Sequence, residues 1–180
     1  MLMPLGVIVV LVLGVVLLYN ALVKLKVLVD NAWADIDVQL KRRHDLIPNL
    51  VETVKGYAAH EKGTFEAVVD ARSKAMAAKT PEAAGAAELG LSAALGKLFA
   101  LAEAYPQLRA VESFTQLQAT LDSIEEAVQN ARRYYNAVVR DLNTKIAQFP
   151  TNLIALTFGF KPREFFEIAA VEREVPKVSF

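Results

Sequence analysis

The sequence predicts an all-α protein in which a single N-terminal transmembrane helix continues into an antiparallel helical bundle of three long helices plus a short C-terminal helix. Three observations carry that reading. Residues 1–23 contain no charged side chain. Two later stretches place apolar residues at alternating steps of three and four, the seam of a packed helix. No stretch of useful length alternates apolar with polar at every second residue, as a half-buried strand does. The divisions expected are residues 1–24 as a transmembrane anchor, 25–160 as the helical bundle and 161–180 as a partly extended tail.

The anchor comes first. Its core reads "LGVIVVLVLGVVLLYNALV". A helix of about 20 residues at 1.5 Å each spans roughly 30 Å, the hydrocarbon thickness of a bilayer. Tyr19 and Asn20 mark an interface, and Lys24 and Lys26 follow it. A cleaved signal peptide is the competing reading, but its apolar run is shorter and follows basic residues. Ala32-Trp33-Ala34 matches the small-x-small form of a cleavage site, yet it lies beyond Lys24, Lys26 and Asp30. Positive charge after the span favours a single-pass protein with a tiny N-terminus outside and the main domain in the cytoplasm.

Composition excludes several function classes. Lys plus Arg and Asp plus Glu each number 20, giving a net charge of zero, so nucleic acid is not an expected partner. The absence of cysteine rules out disulfides, thiol catalysis, cysteine metal sites and a lipoprotein anchor. Apolar residues make up 54% of the chain, with much of the excess at the N-terminal end.

The first seam runs Val29, Trp33, Ile36, Leu40, Arg43, Ile47, Leu50, Val54, Tyr57, Glu61, Thr64 and Val68. It continues directly from the anchor, so one long helix is expected to run to about Ala78. Two charges, Arg43 and Glu61, interrupt it. Pro48 interrupts it differently: it withholds a hydrogen bond from the His44 carbonyl and predicts a kink near residues 44–47. Arg43 and Asn49 are the expected donors to that carbonyl. The bend then fixes how the helix wraps the bundle, or serves as a hinge.

Thr80-Pro81-Glu82 reads as a cap, a first-turn proline and a favourable N-terminal charge, opening a second helix to about Ala104. Leu91, Ala94, Leu95, Leu98 and Leu101 form its buried stripe. Tyr105-Pro106 ends it. A third helix is expected from about Leu108 to Gln148, with the seam Phe114, Leu117, Leu121, Ile124, Val128, Ala131, Tyr135, Val138, Leu142, Lys145 and Phe149. After Phe149-Pro150, Thr151 is expected to cap the short helix "NLIALTF", closed by Gly159.

No chemistry emerges from the reactive side chains. A di-metal bundle site needs Glu-x-x-His pairs, and Lys41 and Tyr57 stand three residues before His44 and His60. Both histidines are expected at the surface, and Glu125, Glu126 and Asp141 on solvated helix faces. No serine sits in a nucleophile elbow and no glycine-rich phosphate loop is present. Neither cofactor nor metal is expected. In Lys41-Arg42-Arg43, the first two read as solvated and Arg43 as paired within the seam, because a seam charge needs a partner. A lipid role for Lys41 is disfavoured: it lies about 28 Å along a straight helix from the membrane edge, against a Debye length of about 8–10 Å.

The blocks "YNALV", "AWADIDVQLKRRHDLIPNLVETVKGYAAHE", "AEAYPQLRA", "ARRYYNAVVRDLN", "FPTNLIALTFGF" and "FFE" together resemble the LemA family, in order and over almost the whole chain. The resemblance implies a bacterial membrane protein with one N-terminal span and a cytoplasmic-side helical bundle. Members linked to magnetosome membranes suggest a role in membrane organisation. It supplies no catalytic residues to carry over.

The expected function is therefore non-enzymatic: a membrane-tethered scaffolding or interaction module, with membrane remodelling, or a membrane enzyme or enzyme regulator, as alternatives. Expected partners are the lipid bilayer, unidentified membrane or cytoplasmic proteins, and further copies of the chain through its heptads. Candidate interaction or structural residues are Arg43, Asp45, Pro48, Asn49, Glu61, Tyr135, Asn136, Phe158, Phe160, Phe165 and Phe166. The segment "FGFKPREFFE" is apolar, broken by Gly and Pro, and off the seams; it is expected to pack at the bundle end, or otherwise to offer an exposed patch.

Overall fold

A computed structural model describes residues 2–166, with the side chains of residues 2–5 left undescribed. The part of the expected tail from residue 167 to 180 lies outside the described residues. The chain forms α1 (Leu2–Lys55), α2 (Lys62–Ala77), α3 (Pro81–Glu103), α4 (Pro106–Arg109), α5 (Glu112–Ala147) and α6 (Thr151–Phe158). Among the described residues there is no strand. The all-α reading is correct.

The first helix is shorter than its seam suggested. It ends at Lys55 instead of running to about Ala78. Gly56 is a weak helix former, and the chain tightens there: the Tyr57 and Ala58 amides both donate to the Val54 carbonyl at 3.0 Å. The turn resets the heptad. Tyr57 and Glu61, expected in the seam, are exposed, while Ala58 and Phe65 are buried in their stead. Glu61 becomes the residue preceding α2.

The start of α3 follows its sequence signals. Thr80 Oγ1 accepts from the Ala83 amide at 3.2 Å, with Pro81 in the first turn and Glu82 beside it. The third long helix differs at its start. Residues 106–109 form the separate turn α4, and α5 begins at Glu112. At α6, Thr151 is the first helical residue and is buried, so Pro150 occupies the cap position expected for Thr151. Gly159 closes α6 in the left-handed region at φ 72°, where a side chain would be strained.

The chain divides into two units. One comprises residues 37–130 together with Phe166. Its core gathers Ile47, Leu50 and Val54 of α1, Phe65 and Val68 of α2, Leu91, Leu95 and Leu98 of α3, Leu108 of α4, and Phe114 and Leu121 of α5. Each fully buried Leu or Val side chain contributes roughly 1.5–3 kcal/mol through removal from water. The short turn between α2 and α3 makes them antiparallel neighbours.

The other unit comprises residues 1–36 and 131–165. Leu22, Val29, Ala32 and Ile36 of α1 are buried here, as are Tyr135, Val138, Val139 and Leu142 of α5 and Ala155 of α6. The Trp33 and Tyr135 rings meet at 58° with a separation of 5.6 Å. From Val7 to Leu17, α1 is largely bare. Ten apolar residues between Val7 and Leu17 are 40–69% exposed.

Candidate functional site

The core of the larger unit holds a buried charge network. Arg43 lies at a seam position of α1, so its guanidinium enters the bundle and not the solvent. Glu88 lies on the inner face of α3, four residues after Ala84 and three before Leu91, both buried. Arg43 Nη1 donates to Glu88 Oε2 at 2.9 Å, and its Nη2 donates to Ser92 Oγ at 2.8 Å. The same Nη2 lies 2.9 Å from Glu125 Oε2 of α5. His44 Nε2 lies 2.6 Å from Glu88 Oε1. Arg43, His44 and Glu88 are each 6% exposed or less. Both oxygens of Glu88 and both terminal nitrogens of Arg43 are engaged.

His44 is thus a core residue, contrary to the surface position expected for it; adjacent to Arg43 on the helix, it shares the burial of that face. His60 is exposed. Glu125, expected on a solvated face, is half-buried because it supplies the outer carboxylate to Arg43. Glu126, Asp141, Lys41 and Arg42 are exposed.

The network also accounts for Pro48. α1 runs through the proline without a break. The His44 carbonyl, which a residue other than proline at 48 would engage, accepts from Arg72 Nε of α2 at 2.8 Å. Arg72 replaces Arg43 and Asn49, the donors expected from sequence: Arg43 is committed to carboxylates, and the Asn49 side chain is exposed. A double-mutant cycle checks this. Arg72→Ala is expected to destabilise the fold by about 1–3 kcal/mol, the cost of leaving a partly buried carbonyl without its donor. Pro48→Ala alone leaves the fold intact. In the Arg72→Ala background, Pro48→Ala restores part of the loss, because the new amide reaches the same carbonyl. Independent, additive effects in denaturant unfolding contradict the shared acceptor.

In the smaller unit the segment after α6 lies as a strap. The Arg163 amide donates to Asn143 Oδ1 at 2.8 Å, and Asn143 Nδ2 returns a bond to the Arg163 carbonyl at 2.9 Å. The Arg163 side chain pairs with Asp30 of α1. The Tyr135 hydroxyl donates to the Glu164 carbonyl at 2.9 Å. Burial pushes the Tyr135 phenol above its ordinary range, with Arg163 opposing and Glu164 and Asp30 adding to the rise. The folded state therefore holds this proton more tightly than the unfolded chain. Its contribution to stability is complete below pH about 10, the unfolded value, and is lost as pH rises through the raised folded value. Tyr135→Phe is expected to flatten that alkaline limb in unfolding curves recorded from pH 8 to 11, and to cost about 0.5–1.5 kcal/mol at neutral pH.

The remaining candidates separate. Asp45, Asn49 and Glu61 are exposed and lie outside the network. Asn136 is half-buried on α5. The rings of Phe158 and Phe160 meet Tyr19 at steep angles, 60° and 72°, with ring separations of 4.9 and 5.7 Å. Phe165 is 36% exposed and Phe166 is buried. Sequence reasoning missed Glu88, Ser92 and Arg72. The signal was present for two of them. Extending the α3 stripe back from Leu91 by three and four lands on Glu88 and Ala84, and stepping from Val68 by four and three lands on Arg72 and Ala75.

Among the described residues, no group of three or more histidine, aspartate or glutamate side chains is arranged to hold a metal ion. A surface depression lined by Phe99, Ala102, Glu103, Arg109, Phe114 and Gln118 carries one carboxylate and lies apart from the network in sequence and in lining. The arrangement is that of a lock: a seam charge, its carboxylates and a proline-freed carbonyl satisfied by three neighbouring helices.

A tightly patterned helical bundle preceded by a bare apolar helix defines the class, and comparison with known proteins supplies the family. Residues 32–180 match the LemA family, and the chain belongs to it. The chain is similar to magnetosome protein MamQ 1 of Paramagnetospirillum magneticum, 26% identical over 83% of this chain and 64% of that protein. It is also similar to magnetosome protein MamQ of Magnetospirillum gryphiswaldense, 25% identical over 82% of this chain and 64% of that protein. Protein LemA of Metamycoplasma hominis is 25% identical over 81% of this chain and 67% of its own length. The chain therefore spans just under two thirds of the length of these MamQ proteins.

Proposed function

We propose that the protein is a non-enzymatic, single-pass membrane protein whose helical bundle serves as a scaffold for partner proteins at the cytoplasmic face of the inner membrane. One observation carries the reading. α1 is bare and apolar from Val7 to Leu17, then becomes buried from Leu22 onward without a break in the helix. A soluble protein seldom leaves so long an apolar stretch uncovered, whereas a bilayer covers it. Lys24 and Lys26 just beyond the bare stretch support the cytoplasmic side.

The second apolar helix, α3, passes the same test of length and composition, but its inner face is packed into the core. That supports one span. The non-enzymatic reading rests on the lock: its charged groups are spent on one another. The magnetosome assignment of the MamQ relatives favours a role in organising a membrane compartment, which a scaffold also performs.

Crosslinking in native cells followed by purification of the tagged full chain tests the proposal, with a Val12→Asp variant as control. A scaffold at the membrane yields a discrete set of crosslinked proteins that the variant loses. The same set recovered by both chains contradicts a role that depends on the tether.

A further inference from the structure

The corner between α5 and α6 meets α1 where its bare stretch ends. Tyr19 is the last large side chain before the clad part of the helix, and the rings of Phe158 and Phe160 both lie against it. Helix geometry places the end of α5 at the same level. Trp33 and Tyr135 are in contact, and the two helices run in opposite directions from that point. Fourteen residues from Trp33 back to Tyr19 cover about 21 Å; twelve from Tyr135 to Ala147 cover about 18 Å, with Phe149 just beyond.

The corner turns four large apolar side chains outward, beside exposed Gln148, Asn152 and Thr157. Leu156 is 83% exposed, Phe149 79%, Leu153 55% and Phe158 53%. Four large apolar side chains in ten residues are thus uncovered beside a helix stretch equally uncovered. Lys24 and Lys161 flank them, the arrangement of apolar body and basic rim that suits the boundary between acyl chains and headgroups.

We propose that the α5–α6 corner is a second membrane contact, inserting Phe149, Leu153, Leu156 and Phe158 into the interfacial layer of the same bilayer that α1 crosses. The inference rests on the transmembrane reading of α1. The corner acts as a foot that sets the depth and tilt of α1 by holding Tyr19 at the interface. The occupant is lipid, because the corner adjoins, through Phe158 against Tyr19, the end of the apolar stretch of α1 that the bilayer covers.

The chain has no cysteine, so single-cysteine variants carry a nitroxide cleanly. Leu156→Cys, Val12→Cys and Asp141→Cys are each prepared in the full chain, reconstituted into vesicles of phosphatidylcholine and phosphatidylglycerol, and compared for collision with oxygen and with a water-soluble nickel chelate. The Val12 label is expected deep in lipid, the Asp141 label in water, and the Leu156 label within the interface, with chelate access reduced at least several-fold relative to Asp141. Water-like access at Leu156 with the Val12 label in lipid overturns the foot and leaves the span standing. Water-like access at both overturns the span. Spin–spin broadening at Leu156 that disappears on dilution with unlabelled chain assigns the patch to a second copy and likewise overturns the lipid contact.

Discussion

Glu88→Ala is expected to destabilise the bundle by about 3–5 kcal/mol, the cost of breaking a buried ion pair on one side only. Glu88 is the carboxylate on which Arg43 and His44 converge. Its removal leaves a guanidinium with the half-buried Glu125 and Ser92, and an imidazole without its carboxylate. The effect is a penalty for stranded polar groups and does not measure what the network adds to stability. The contrast that separates the two is the apolar replacement of the whole set. Arg43→Met, His44→Leu and Glu88→Leu together are expected to fall within about 2 kcal/mol of the native chain, since well-packed apolar residues replace buried ion pairs at little cost. Denaturant unfolding of the full chain in detergent, followed by helical circular dichroism, reads both. A Glu88→Ala chain within about 1 kcal/mol of native contradicts a dry, closed network, because water would then be serving the Arg43 and His44 side chains.

The second large effect concerns the bare helix. Val12 lies near the middle of the uncovered stretch and is 56% exposed. An aspartate at the centre of a transmembrane helix costs about 2.5–3.5 kcal/mol of insertion, and each 1.4 kcal/mol is tenfold in an equilibrium. Val12→Asp is therefore expected to lower the membrane-integrated fraction by about a hundredfold relative to the soluble fraction, with Val12→Leu unchanged. The core of the larger unit contains no residue from this stretch, so its unfolding transition is expected to persist. If the helix instead faced water, the aspartate would be neutral or would improve solubility. Equal partitioning of the two variants in membrane fractionation separates these cases.

Much of this arrangement is legible in the chain, and the parts that are not have physical reasons. The seam from Val29 to Val54 is buried at nearly every expected position, because heptad spacing and a single buried face are the same fact seen twice. The Thr80-Pro81-Glu82 start is legible for the same reason: capping is local chemistry. The break at Gly56 is not. One glycine costs only about 1 kcal/mol in a helix, and the seam continues formally through Tyr57 and Glu61, so only tertiary packing of Phe65 and Val68 decides that the chain turns. The lock was half legible. Arg43 demands a partner, but which of 20 acidic residues answers is set by how three helices meet. Arg72 on the His44 carbonyl lies further still from sequence reasoning, since it depends on a hydrogen bond that a proline fails to make. Of the exposed corner only Phe158 lay in the apolar off-seam segment; Phe149, expected at the end of the third seam, is exposed instead, and the position beside Tyr19 was not legible.

The proposed continuity of α1 from lipid into packed protein is tested most directly by amide hydrogen exchange of the full chain in lipid nanodiscs. One unbroken helix predicts slow exchange at every measurable amide from Val7 to Val54, first under lipid and then under protein, with fast exchange only at the turn between Tyr57 and Glu61. A fast-exchanging window between Tyr19 and Lys26 would mean that tether and bundle are joined by a flexible linker, and would contradict both the single helix and the foot that rests against it.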